Sequence, residues 1–345
     1  MVSIGLAEEK NRVCVSADYD ILGMRMRVGA DAPELFASSQ DVLVEFETAR
    51  LQEIDWSVRL RIAPLEGNAV PVQVQQVWSG LVPPGVRAVN YVGRNYRRLE
   101  LVDLGQCDID LERRVASVTV DSIKRVKASR YFFTAILCTA LARSSHVPIH
   151  AACLAVLDGG EQRSVVIVAP SGTGKSTTAF ALAHSGWRLM GDDLACVTRN
   201  EGQLTVWGYP RNCHVRRPTF ALLPWLQDLP LQPLGIEDSW EFPLSSLGRM
   251  AFGPPPLPLK PAMVLVLEKP NGRGHHCELL DPIDAFATIC RENVQPIEGC
   301  EDVDAHAAFQ AISELVQTTP CYRLSAGPKV DNLAAYLSSE TGVGM

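Results

Sequence analysis

The chain has 345 residues, 47% of them apolar and 21% charged, with a formal net charge of −7 and a pI near 5.6. That length suits two domains with packed cores, and the composition excludes a disordered chain. The acidic balance offers no broad basic face for nucleic acid, and the local basic stretches at 94–98 and 124–127 read as solvated surface.

Taken in chain order, the first third alternates apolar and polar residues with a period of two. Residues 41–47, 56–62, 72–78 and 116–120 each carry that pattern, which predicts short strands with one buried and one wet face. Residues 1–125 are therefore expected to form a β-rich N-terminal domain, and residues 126–345 a second domain. The period changes at 126–144, where Phe132, Phe133, Ile136, Leu137, Ala140 and Leu141 fall at helical spacing. Next come an apolar strand at 151–157, a Gly159-Gly160 turn and a β-branched strand at 164–168. A glycine-bearing loop and a helix over 175–184, stopped by Gly186, follow. Residues 188–190 form a short apolar segment ending at Gly191-Asp192-Asp193, and 194–198 with 204–207 suit a hairpin. The proline-dense stretch 210–261 reads as irregular chain with short helices. A strand is expected at 262–267, and helices at 283–293, 303–316 and 330–338.

Ten cysteines are scattered, none in a C-x-x-C pair, and several sit within apolar runs as reduced buried thiols do. His275-His276-Cys277 is the one tight His/Cys cluster, and it lacks the second half that a zinc site needs. Residues 1–10 include Glu8 and Glu9 and do not read as a secretory signal. No run reaches the roughly 18 apolar residues that span a bilayer. A cytoplasmic protein without a membrane partner is expected.

Chemistry is concentrated in Ala169-Pro170-Ser171-Gly172-Thr173-Gly174-Lys175-Ser176. The string follows the phosphate-loop pattern G-x-x-x-x-G-K-[ST], with Ala169 in place of the first glycine, and it lies between a predicted strand and a predicted helix. Backbone N–H groups of such a loop point inward at an anion, and the helix N-terminus adds partial positive charge. Lys175 would reach the β- and γ-phosphates and Ser176 would place its hydroxyl on Mg²⁺, so ATP with Mg²⁺ is the expected ligand. Asp192 and Asp193 stand at the end of the next short strand, where adjacent side chains diverge. One carboxylate could serve the metal and the other the attacking hydroxyl.

Together with His150, which precedes a strand, these pieces resemble the catalytic domain of the bacterial HPr serine kinase/phosphorylase family. The resemblance covers residues 148–197: Pro148-Ile149-His150, the loop 169–176, and the run from His184 to Asp193. It is greatest with the divergent HPr-kinase-related proteins that stand beside peptide-modification genes. It implies an α/β P-loop (HPr-kinase-like) catalytic domain with a smaller β-rich N-terminal domain. It also implies that Asp193 accepts the proton of a substrate serine, that Asp192 lies near the metal, and that His150 is an accessory active-site residue. Thr177 stands where the family usually has glutamate, and Ala151 where it has glycine. Arg211, Arg216 and Arg217 are candidates for phosphate contacts. The expected activity is Mg-ATP-dependent phosphorylation of a hydroxyl, with a peptide or small protein as acceptor. An ATP-gated regulatory module and a small-molecule alcohol kinase stand as alternatives. The family forms ring-like oligomers, which leaves a homo-oligomer open.

Overall fold

The computed structural model describes residues 13–65, 74–82, 86–122, 129–170, 172–234, 238–254, 256–270, 272–293 and 303–344. Ser171, residues 1–10, the basic stretch 124–127 and the start of the expected strand at 72–78 lie outside those residues. The chain divides into two compact units, Met1–Leu137 and Cys138–Met345.

The first unit runs β1 (Val15–Ile21), β2 (Met24–Ala30), α1 (Pro33–Leu43), β3 (Glu47–Thr48), β4 (Trp56–Ile62), β5 (Gln75–Val82), β6 (Val86–Gly93), β7 (Tyr96–Leu101), β8 (Gly105–Asp110) and β9 (Val115–Val120). These strands make one nine-stranded sheet in the order β3-β1-β2-β4-β9-β8-β7-β6-β5. β4 is parallel to β2 and β9. The period-two pattern is realised directly: β4 buries Trp56, Val58 and Leu60, and β9 buries Ala116, Val118 and Val120. Residues 41–47 are a correction. Residues 41–46 are not a strand but the end of α1 and a 3₁₀ turn over Val44–Phe46, and only Glu47 is extended, as the first residue of β3. Pro33 starts that helix with its preset φ, and Leu35, Ser39, Val42, Leu43 and Phe46 are buried at helical spacing while Val44 stays 55% exposed.

The division into units falls within α2 (Ser129–Ala142). The second unit continues with β10 (Val147–Ile149), β11 (Ala152–Asp158), β12 (Glu161–Val168), α3 (Lys175–His184), β13 (Arg188–Gly191), β14 (Ala195–Asn200), β15 (Gln203–Gly208), β16 (Cys213–Arg216) and α4 (Arg217–Leu222). After these come β17 (Gln232–Pro233), β18 (Ser239–Phe242), β19 (Pro261–Glu268), β20 (His276–Leu279), α5 (Pro282–Asn293), α6 (Val303–Thr318), β21 (Cys321–Ser325) and α7 (Leu333–Thr341). They build a six-stranded sheet, β13-β11-β12-β19-β21-β20, and two three-stranded sheets, β10-β14-β15 and β16-β18-β17.

This architecture corrects the expected fold class. The chain is a mixed α/β protein dominated by four β-sheets, with 39% strand against 31% helix, and no clear P-loop α/β core is evident. The reason lies in the connections. Only the two residues Gly159 and Gly160 join β11 to β12, which forces an antiparallel pair, because a parallel pair needs a crossover of a dozen or more residues. β13 and β20 also run antiparallel to their neighbours, leaving only β12, β19 and β21 parallel. The stretch 210–261, expected to be irregular, contributes a small sheet of its own.

Both faces of the six-stranded sheet are buried, so β12 reads as the continuous run Val165-Val166-Ile167-Val168 rather than an alternating one. Val165 and Ile167 pack with Phe180, Leu182 and Ala183 of α3. Burying a side chain such as Phe180 stabilises by about 2–3 kcal/mol and fixes α3, hence the loop before it, against the sheet. Gly208, at the end of β15, approaches the end of β13 so closely that a Cβ there would lie 2.6 Å from the Gly191 nitrogen and the Met190 carbonyl carbon. Asp192 and Asp193 leave from this point. Gly208→Ala is therefore expected to lower stability by about 2–3 kcal/mol, and Gly253→Ala, which has open space around it, to stay within about 0.5 kcal/mol. Urea unfolding midpoints check both; equal effects would contradict the close packing.

Candidate functional site

β12 ends at Val168 and α3 begins at Lys175, so the described residues Ala169, Pro170, Gly172, Thr173 and Gly174 form the loop between them. Ala169 is fully buried in the hydrophobic core behind the loop, where a small residue fits. Gly174 is the N-cap of α3 at φ 108°, a left-handed geometry that a side chain would strain, and it carries no side-chain cap. Thr173 N–H donates to the Pro170 carbonyl at 3.2 Å, and Thr178 N–H makes the first helical bond to Gly174 at 2.9 Å. The N–H groups of Lys175, Ser176 and Thr177 precede that bond and lack helical acceptors. Together with the helix dipole they give the α3 N-terminus the partial positive charge that suits an anion.

Around that terminus the chain gathers five charged or titratable side chains. Lys175 is buried, and its Nζ donates to the Asp192 carbonyl at 2.9 Å and to Asp193 Oδ1 at 3.0 Å. Arg211 pairs with Asp193 Oδ2. His150 Nδ1 lies 3.1 Å from Asp193 Oδ1. Strand register explains this last contact. Ile149 of β10 pairs with Ala195 of β14, so the next residue outward, His150, comes level with the Asp193-Leu194 turn. His150 N–H in turn donates to Asn293 Oδ1.

Asp192 is different. Its side chain is only 1% exposed, Oδ2 accepts from the His214 N–H at 3.2 Å, and Oδ1 has no hydrogen-bond partner. The two carboxyls are pushed in opposite directions. Burial raises Asp192, and the charge of Asp193 raises it further. Burial also works to raise Asp193, but Arg211, Lys175 and His150 outweigh it and hold that carboxyl well below the usual carboxylate range. Burial and then Lys175 lower His150, while the Asp193 carboxylate 3.1 Å from its Nδ1 works the other way.

The structure thus brings together Lys175, Asp192, Asp193 and His150, and it adds Arg211 as a partner of Asp193 rather than a free cation. Ser176 lies partly buried in the first turn of α3. Thr177 turns to α4, where its hydroxyl meets that of Thr219 at 3.0 Å. Arg217 turns away to Asp238, with Nε to Oδ1 at 2.6 Å, and Arg216 is exposed opposite Ser239 on β18. His214, Thr219 and Asn293 carry no motif in the sequence. The His275-His276-Cys277 cluster is structural: His275 Nδ1 accepts from Gly327 N–H at 2.9 Å, and Nε2 meets the Lys329 carbonyl and Asn332 Oδ1.

The residues present fit Mg²⁺. It is a hard cation that takes one or two carboxylates plus phosphate oxygens and water, and the unpartnered Asp192 Oδ1 together with the Ser176 hydroxyl supplies oxygen donors of that kind. The partial positive charge at the α3 N-terminus and the Lys175 ammonium fit the phosphates of ATP. No protein-family model matches the chain, and no curated protein matches it.

The opposed carboxyls give opposite pH signatures. Asp193, lowered, contributes stability that is present above the ordinary carboxylate pKa and is lost as pH falls below it toward the folded value. Asp192, raised, removes stability as pH rises from the ordinary value through the folded one. At pH 7 Asp193→Asn is expected to lose about 1–3 kcal/mol, and Asp192→Asn to be neutral or more stable than the parent. Denaturant melts between pH 3 and 8 measure both, and equal losses in the two variants would contradict the assignment.

Proposed function

We propose that the protein is a Mg-ATP-dependent kinase that transfers the γ-phosphate to a hydroxyl, with serine of a peptide or small protein as the favoured acceptor. The observation that supports this reading is the convergence of Lys175, Arg211 and His150 on the single carboxylate of Asp193, beside the partly positive N-terminus of α3. Two fixed cations and one ionised carboxylate leave a surplus of positive charge next to backbone N–H groups, which suits a polyphosphate.

The same contacts suggest how the residues work. Asp193 as it stands is a poor base, because Lys175 and Arg211 favour its ionised form. Phosphate oxygens compete for both cations. As Lys175 and Arg211 turn to them, Asp193 regains basicity and can take the proton of the attacking hydroxyl. Lys175 and Arg211 then neutralise charge developing on the transferred group. His150 keeps its Nδ1–H on Asp193 and holds the carboxylate in orientation. Mg²⁺, when bound, supplies neutralisation of phosphate charge, with Asp192 and Ser176 as its holders. We place the reaction in the cytoplasm, where buried thiols such as Cys153, Cys196 and Cys213 stay reduced.

A carboxylate clamped by two cations, with His150 beside it, also suits a nucleotide-gated switch that transfers nothing, and one experiment separates the two. The protein is incubated with γ-labelled ATP and serine-containing peptides, alongside Lys175→Ala and Asp193→Asn. Label on peptide is expected for the parent. Loss of at least about a hundredfold is expected in both variants, with nucleotide still bound by Asp193→Asn. Binding without transfer in the parent supports the switch, and label on free serine or another small alcohol moves the acceptor class. Undiminished transfer by Asp193→Asn would sink the assignment of the base.

A further inference from the structure

His150 sits where the chain leaves one sheet for another. β10 belongs to the sheet with β14 and β15, β11 belongs to the six-stranded sheet, and His150 with Ala151 makes the bend between them. A residue in such a bend has no ladder partner for its N–H. The acceptor comes from far along the chain. Asn293, the last residue of α5, receives the His150 N–H on Oδ1 and donates its own Nδ2–H to the Ile289 carbonyl at 2.8 Å. Its amide is thus held at both ends, and α5 is itself anchored through buried Ala285 and Ile289. From this fixed main chain the His150 ring reaches Asp193 Oδ1 at 3.1 Å.

We infer that Asn293 is a positioning residue that sets the His150 imidazole on Asp193 by holding the His150 main chain. An amide side chain can accept and donate at once, and both capacities are used here. Aspartate at 293 would keep an acceptor for His150, lose the bond to Ile289 and add a negative charge there. Leucine, of similar volume, would keep neither. A plain helix-capping role needs only the Ile289 bond, so the pair of variants separates positioning from capping. The catalytic consequence rests on the reading of Asp193 as the base; the coupling from Asn293 to the His150 ring does not.

The test compares the full-length parent with Asn293→Leu and Asn293→Asp. Nitrogen-15 NMR of the histidine side chains reads which ring nitrogen of His150 carries the proton and how strongly it is bonded. In Asn293→Leu the His150 ring signals are expected to lose the Nδ1–H signature of the parent, and in Asn293→Asp to keep it. In the transfer assay Asn293→Leu is expected to lower kcat roughly tenfold to a hundredfold with KM for ATP within about twofold, as a displaced catalytic group does, and Asn293→Asp to stay within about threefold. Unchanged His150 ring signals in Asn293→Leu, or equal changes in both variants, overturn the inference. Should Asn293→Leu not fold, hydrogen exchange of the His150 amide in the parent decides. Protection that persists in Asn293→Asp supports the inference, and an unprotected amide in the parent overturns it. A parent that labels no acceptor refutes the kinase reading alone, because the NMR comparison needs no turnover.

Discussion

The site depends on one carboxylate. Asp193 holds Lys175 and Arg211 on its two oxygens, with His150 Nδ1 3.1 Å from Oδ1. Removing such charges from water costs several kcal/mol per ion, and only close pairing offsets that cost. Lys175, nearly buried at the start of α3, would be expensive to leave alone; the Asp192 carbonyl and Asp193 Oδ1 make its burial tolerable. Asp193 therefore acts as an internal anion that keeps two cations aimed at one place. In the proposed function a bound phosphate would replace it as their partner, so the residue that stabilises the site would be the one released on binding. The neighbouring Asp192 marks the contrast. Without a cation against its Oδ1, its carboxyl is pushed up by burial, so environment alone gives two adjacent aspartates opposite chemistry.

What holds Asp193 in place is mostly backbone packing. β13 is short and ends where Gly191 and Gly208 touch main chain to main chain, so the aspartates emerge at a point fixed by two strands. On one side β14 aligns β10, and thereby His150. On the other, the segment entering β16 places Arg211 on Asp193 and the His214 N–H on Asp192. Three sheets meet around the N-terminus of α3, and none of them is a doubly wound parallel core. The charge constellation is thus carried by a mixed α/β scaffold in which antiparallel pairing around Asp158–Glu161 already rules out a crossover.

Local chemistry was legible in the sequence where a residue type has one good use. The Gly174-Lys175-Ser176 string lies between a strand and a helix, and α3 spans the expected residues 175–184. The pairing of Asp193 with Lys175 was not written in any motif, but both residues stood out separately. Arg211 drew notice as a basic residue, and its role as the second cation on Asp193 appears only once the strand after Gly208 is placed. Asn293 left no trace, because a contact across 143 residues depends on where α5 ends and not on local pattern. The fold class failed for a related reason. Resemblance over residues 148–197 bears on the loop and the residues around it, whereas architecture is decided by how the strands pair: antiparallel for β11 with β12 and β13 inside that range, and parallel for β12 with β19 and β19 with β21, which need segments far outside it. Residues 41–47 failed locally: Val42-Leu43-Val44 is apolar under either period, and Pro33, eight residues before the stretch, decides for helix.

The central claim is that Asp193 competes with phosphate for Lys175 and Arg211, and calorimetric titration of Mg-ATP into the parent and Asp193→Asn tests it most directly. If the carboxylate is the internal rival, the parent binds Mg-ATP and neutralising the rival tightens binding, by about tenfold for each ~1.4 kcal/mol of competition removed. Weaker binding by Asp193→Asn than by the parent, or no binding by either protein, would contradict it.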